Sequence, residues 1–174
     1  MKITAVFGTS LYAVHYDGVE ENEYDQLIHL WEDILYIYSI ANQHRLPNKV
    51  TFAKQILKDL AAIQDFMNEV QEGLDNLDQF FKPLYNMESG FRELSLQKGS
   101  PNKKSCLRLY AIRIDKGTYL ITGGGIKLVA TMQQDEVLMR EKSKLNTVRQ
   151  FLKSNYVFDG ISFQDFIKEQ DENE

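Results

Sequence analysis

With a single cysteine, Cys106, among 174 residues, the chain can form no internal disulfide and carries no Cys-x-x-Cys metal or redox motif. The expected role of that thiol is a small hydrophobe. Only three histidines occur, His15, His29 and His44, in different predicted elements and without metal-ligand spacing, so no metal site is expected. No stretch approaches ~20 uninterrupted apolar residues, and the apolar run in MKITAVFGTSLYAVHYDG is broken too soon for a secretory signal. A cytoplasmic location without membrane contact is expected. Gly123-Gly124-Gly125 is followed by Ile126-Lys127-Leu128 in a β-like context, not by the Lys-Ser/Thr and helix of a P-loop, and the dinucleotide fingerprint fails for the same reason. A Gly-x-Ser-x-Gly nucleophile elbow is missing as well, and no cofactor is expected.

What is present is an ordinary globular composition, 43% hydrophobic and 26% charged, which excludes wholesale disorder. A chain of this length buries about 70% of the surface its unfolded form exposes, enough for one domain and too little for two. The net charge of −5 hides a segregation along the chain. Residues 1–84 carry 6 Lys and Arg against 13 Asp and Glu, residues 85–155 carry 13 against 6, and residues 156–174 carry 1 against 6, giving −7, +7 and −5. The middle segment is therefore the part suited to an anionic partner.

Organisation centres on Ser105 to Leu128, SCLRLYAIRIDKGTYLITGGGIKL, which reads as two antiparallel strands around the turn Asp115-Lys116-Gly117. Alternation places Arg108, Tyr110, Ile112 and Ile114 on one face of the first strand, and Leu107, Leu109, Ala111 and Arg113 on the other. Upstream, KITAVF and LYAVHYDG form a strand or hairpin divided by Gly8-Thr9-Ser10. Tyr24, Leu27, Ile28, Trp31, Ile34, Leu35, Tyr38 and Ala41 mark one amphipathic helix from Glu23 to about His44, stopped by Leu46-Pro47-Asn48. A second helix runs from Lys49 to Glu72 and packs antiparallel on the first, and a short third one covers Leu74 to Phe81.

Gly90 to Leu96 reads as a strand, Gln97 to Lys104 as an exposed polar loop, and IKLVATM as a continuation of the strand that ends in the glycines. Gln134 to Ser154 is a helix with Val137, Leu138, Leu145, Val148, Phe151 and Leu152 inward and Arg140, Lys142, Lys144, Arg149 and Lys153 outward. Ser162 caps a last helix, Phe163 to Gln170. The fold class is α+β: an antiparallel sheet (87–128) against an N-terminal helical hairpin (22–84), with additional C-terminal helices (134–170), all in one domain spanning 1–174.

Chemistry concentrates in Arg92, Arg108, Tyr110, Arg113 and Lys127, with the loop lysines Lys98, Lys103 and Lys104 nearby. Cations on a rigid sheet neutralise phosphates, and an aromatic ring stacks a base, which is what gripping an RNA backbone requires. Cleavage by the 2′-hydroxyl would further need a proton acceptor, cations for the phosphorane charge and a donor to the leaving oxygen. With no histidine in this half, Tyr or Lys would manage the protons. The competing reading is that these cations form ordinary salt bridges with the acidic helices.

The segment GFRELSL, a loop, then LRLYAIRIDKGTYLITGGGIKL resembles the core of the RelE/ParE superfamily of bacterial toxins, the HigB-like branch in particular, over roughly Met87 to Leu128. That branch has a Gly-hydrophobic-x-Glu-Leu strand, an Arg-hydrophobic-Tyr strand, a turn, and a strand ending in a Gly-containing turn with lysines. The resemblance implies ribosome-dependent mRNA cleavage by an endoribonuclease and neutralisation by a helix-turn-helix antitoxin. Carried over by position, Arg108 and Tyr110 match the Arg-x-Tyr strand and Lys127 the first lysine after the last strand, which makes these three the catalytic candidates. Arg92, Arg113, Lys98, Lys103 and Lys104 are RNA-binding candidates on their chemistry alone. Ser95 stands where the family has an arginine, Leu128 where it has a second lysine, and the chain is longer and more acidic than typical members. The alternative is a catalytically inactive RelE-fold protein-binding module, whose acidic residues Asp33, Asp59, Asp65 and Glu69 lie over the basic face in place of an antitoxin.

Overall fold

Strands of alternating or continuously apolar residues and helices with an apolar stripe account for most of the chain. The computed structural model describes residues 1–85, 94–128 and 133–174, with side chains from residue 136 in the last segment. In order these are β1 (Lys2–Phe7), β2 (Leu11–His15), α1 (Glu23–Glu32), α2 (Ile34–Gln43), α3 (Lys49–Gln71), α4 (Leu77–Phe80), β3 (Phe81–Pro83), β4 (Ser95–Gly99), β5 (Leu107–Asp115), β6 (Thr118–Ile126), α5 (Gln133–Ser154) and α6 (Gly160–Glu172). The fold is α+β.

The six strands make one sheet in the order β1-β2-β6-β5-β4-β3. It is mixed, not antiparallel as expected: β2 runs parallel to β6, with Leu11 opposite Tyr119 and Ala13 opposite Ile121. Every other neighbouring pair is antiparallel. The alternation of side chains is the same in both kinds of pairing, so strand direction follows from the route of the chain, which crosses the helical layer between β2 and the strands it joins.

Helices cover both faces. Leu107, Leu109, Ala111 and Ile121 pack with Trp31, Ile37, Ile56 and Ile63 from the α1–α4 layer. Tyr110, Ile112, Ile114 and Leu120 pack with Leu145, Val148, Leu152 and Phe163 from α5 and α6. Trp31 and Phe163 are almost fully buried, and cutting such a residue to alanine costs about 3–5 kcal/mol. Two buried faces explain why β5 and β6 read as nearly continuous apolar runs.

Several boundaries differ from expectation. The helix predicted over Glu23–His44 is two, because Asp33 leaves helical geometry and its side chain accepts from the Leu35 and Tyr36 N–H groups, starting α2. The short third helix is confined to Leu77–Phe80, and Phe81–Pro83 pairs with β4 as an edge strand. Strand β4 extends to Gly99, into the predicted loop, while 90–93 and the 129–132 part of the predicted extension lie outside the described residues. The last helix is capped by Asp159, not Ser162. Ser162 is the third residue in, and the two bond each other's backbone in a capping box.

Candidate anion-binding site

The β5–β6 hairpin is held in register by Arg108 opposite Gly125 and Tyr110 opposite Gly123. Next to it, Lys98 of β4 faces Tyr110. Cross-strand partners share a face, so Lys98, Arg108 and Tyr110 project toward α5 together. There they line a pocket of about 220 Å³ with Lys127, Lys142, Tyr85, Leu84, Val137 and Leu138. Four cations converge with two tyrosines, and no carboxylate lines the pocket among the described residues. Arg108 is half-buried, and its Nη1 donates to the carbonyls of Ser105 at 2.7 Å and Leu107 at 2.8 Å. Those bonds fix the guanidinium without neutralising it. No ion pair to Lys98, Arg108 or Lys127 is found among the described residues.

The tyrosines divide the expected roles. Tyr110 is only 8% exposed, which leaves no ring face for a base to stack on. Burial raises its hydroxyl above the usual tyrosine range, Glu141 adds to the rise and Arg108 opposes it, so the hydroxyl is a donor at neutral pH. Tyr85, 39% exposed at the rim with Lys142 Nζ 4.9 Å from its ring centroid, offers the open aromatic face instead. Neither Tyr85 nor Lys142 was singled out for this site from the sequence.

The remaining candidates are elsewhere. Arg113 is on the opposite face, its Nε 3.7 Å from Asp78 Oδ1, and the Tyr119 hydroxyl donates to the same oxygen at 2.6 Å. This pair and the Gly117 N–H, which also donates to Asp78, pin the β5–β6 turn to α4. Burial, then the bond to Asp78, raises the Tyr119 hydroxyl, so it too remains a donor. Lys103 and Lys104 border a separate cavity with Gln55, Lys58 and Asp59 of α3. Arg92 lies outside the described residues. Ser95 is buried and opposite Arg113, away from Arg108.

Asp59 accepts from the Cys106 N–H and from Gln55, a structural role, while Asp33, Asp65 and Glu69 are exposed on the α1–α4 side. These four carboxylates do not cover Arg108. Burial raises the Cys106 thiol, in keeping with a packed rather than reactive sulfur. No group of three potential metal ligands occurs among the described residues, and no described helix is long and apolar enough to cross a membrane.

No family model, curated protein or solved structure matches the chain. The site therefore rests on its own geometry. The triple glycine is part of that geometry: a Cβ at Gly123 would fall on the Glu141 carboxylate, one at Gly124 within 2.7 Å of the Arg108 carbonyl, and one at Gly125 within 3.0 Å of Val137. The glycines let α1 and α5 close onto β6.

Proposed function

We propose that the pocket grips an RNA phosphate and that the chain is a RelE/HigB-like endoribonuclease acting on ribosome-bound mRNA, held in check by a helix-turn-helix antitoxin. The observation that supports this reading is the convergence of Lys98, Arg108, Lys127 and Lys142 on one pocket with no lining carboxylate among the described residues. Arg108 and Lys127 would hold the scissile phosphate and stabilise the added charge as the 2′-hydroxyl attacks. The Tyr110 hydroxyl, protonated and next to Arg108, is suited to donate to the leaving oxygen, while the proton of the 2′-hydroxyl would pass to solvent water. Tyr85 would stack a neighbouring base.

Expression in growing bacteria, scored for translation arrest and for cleaved mRNA, tests the assignment. Arrest that disappears in an Arg108→Ala/Lys127→Ala variant supports it, and a harmless wild type removes the toxin reading. The second reading, a non-catalytic binding module, draws on the bonds from Arg108 to its own strand and on the burial of Tyr110. RNA binding without cleavage would favour it.

A further inference from the structure

The cationic pocket is basic on its floor and largely apolar on its walls. Lys98, Arg108 and Lys127 come from β4, β5 and the residue after β6, whereas Leu84, Val137 and Leu138 come from the segment after β3 and from α5. The two walls meet where Lys142 Nζ of α5 rests 4.9 Å from the Tyr85 ring centroid. A strand gripped only by its internal phosphates needs cations along a track and leaves those apolar walls without a use. The ligand that uses both surfaces is a compact anion joined to a flat apolar body. At about 220 Å³ the cavity is smaller than the ~300–1,000 Å³ of pockets for drug-sized ligands, so it takes one such unit and not a run of them.

Charge decides which anion. Lys98, Arg108, Lys127 and Lys142 form no ion pair among the described residues. An internal phosphodiester brings them a single negative charge, whereas a terminal phosphomonoester carries about −1.5 to −2 at pH 7 and presents three acceptor oxygens. Arg108 is prepared for such a group. The Ser105 and Leu107 carbonyls engage only its Nη1, and among the described residues its Nε and Nη2 make no hydrogen bond. A guanidinium fixed in this way loses little freedom when it binds.

We infer that this pocket is a site for a nucleoside 5′-phosphate, held by its terminal phosphomonoester on Lys98, Arg108 and Lys127 with the base against Leu84, Tyr85 and Leu138. A base suits those walls better than a bare sugar does, because its π-face stacks on the Tyr85 ring and attracts the Lys142 ammonium. The same unit occurs as a free nucleotide and as the 5′-phosphorylated end of an RNA strand. The inference rests on the pocket of the RNA reading but not on its cleavage step. It adds that a terminal phosphate seated here excludes an internal phosphate from the same cations.

Calorimetric titration of the full chain with 5′-AMP, 3′,5′-cyclic AMP, ribose 5-phosphate and adenosine separates the parts of the ligand. Saturable binding of 5′-AMP is expected, tighter than cyclic AMP by about tenfold or more, since the diester has the same base but loses a charge-assisted contact. It should exceed ribose 5-phosphate by about fivefold or more, as loss of a stacked base does, and adenosine should not saturate. Lys98→Gln/Lys127→Gln, which alters two exposed side chains and spares the core, should weaken 5′-AMP by about tenfold or more. Tyr85→Ala should bring 5′-AMP down to the level of ribose 5-phosphate. A 5′-phosphorylated trinucleotide that outbinds 5′-AMP would identify an RNA end as the source, and the reverse a free nucleotide. Equal binding of cyclic AMP and 5′-AMP, equal 5′-AMP binding by wild type and the double variant, or no saturable 5′-AMP binding would overturn the inference. Salt-dependent binding of a 5′-hydroxyl RNA alongside that failure would leave the RNA reading standing, while 5′-AMP binding by a chain that arrests no translation would remove the toxin reading alone.

Discussion

Arg108 and Arg113 belong to one strand, five residues apart, and meet opposite fates. Arg113 faces α4, where Asp78 neutralises it and Tyr119 shares the acceptor. Arg108 faces α5, is held by two backbone carbonyls, and keeps its charge beside Lys98, Lys127 and Lys142. Odd spacing on a strand assigns the faces, but the character of each arginine is decided by the helix laid over it. Helix α4 supplies a carboxylate and α5 a lysine at the respective sites, so the same residue type is a structural tie on one side and, among the described residues, a cation without an ion pair on the other.

The contrast can be broken most visibly at Arg108. Replacing Arg108 and Lys127 by alanine together should lower affinity for single-stranded RNA by about 100-fold at low salt and reduce the slope of log affinity against log salt by ~1–2, as two lost phosphate contacts would. Fluorescence anisotropy over a salt series measures both, and a slope unchanged by the double substitution would refute the pocket as the RNA site. Arg113→Ala should leave that affinity unaltered and cost about 1–2 kcal/mol of stability in urea unfolding, between the values for exposed and buried pairs. Tyr119→Phe should remove about 1 kcal/mol by the same measurement.

A smaller effect sharpens the comparison on the Arg108 face through pH. Burial raises the Glu141 carboxyl above its ordinary value of 4.5, with Lys144 opposing the rise. As pH climbs through that ordinary value, the unfolded chain releases this proton before the folded one does. Wild type should thus lose stability relative to Glu141→Gln from about pH 4.5 up to the folded-state pKa, and the difference should level off above it. Urea midpoints between about pH 4 and 8 test the direction, and a gap that widens in favour of wild type would contradict it. The least change is expected from Lys103→Ala/Lys104→Ala, within about twofold in RNA affinity, because these lysines border α3 and not the pocket.

The hairpin, its turn and the two faces of β5 were legible because period-two alternation and Asp-Lys-Gly are local signals. The parallel β2–β6 pairing was not, since local pattern carries no information on strand direction. The break at Asp33 left a trace, an aspartate two and three residues before the N–H groups it accepts from, but the apolar stripe ran on through it and hid the cap. Of the expected cationic set, Lys98, Arg108 and Lys127 come together and Arg113, Lys103 and Lys104 do not. The sequence pattern puts Lys142 on the basic exterior of α5, because the rotation of that helix over the sheet is set by packing. Glu141 could have been found: Val137, Glu141, Leu145, Val148 and Leu152 share one stripe, so an acid there points at the core.

The pairing of Leu11–Ala13 with Tyr119–Ile121 also governs the order of assembly. A growing chain emerging from the ribosome holds its first hairpin without a neighbour until β6 has been synthesised, which requires most of the polypeptide. Such distant pairing raises the contact order and slows folding, since loop-closure entropy is lost before the contact forms. Until then β2 presents an unpaired apolar edge, and the waiting time for β6 sets how long the nascent protein needs protection from its neighbours.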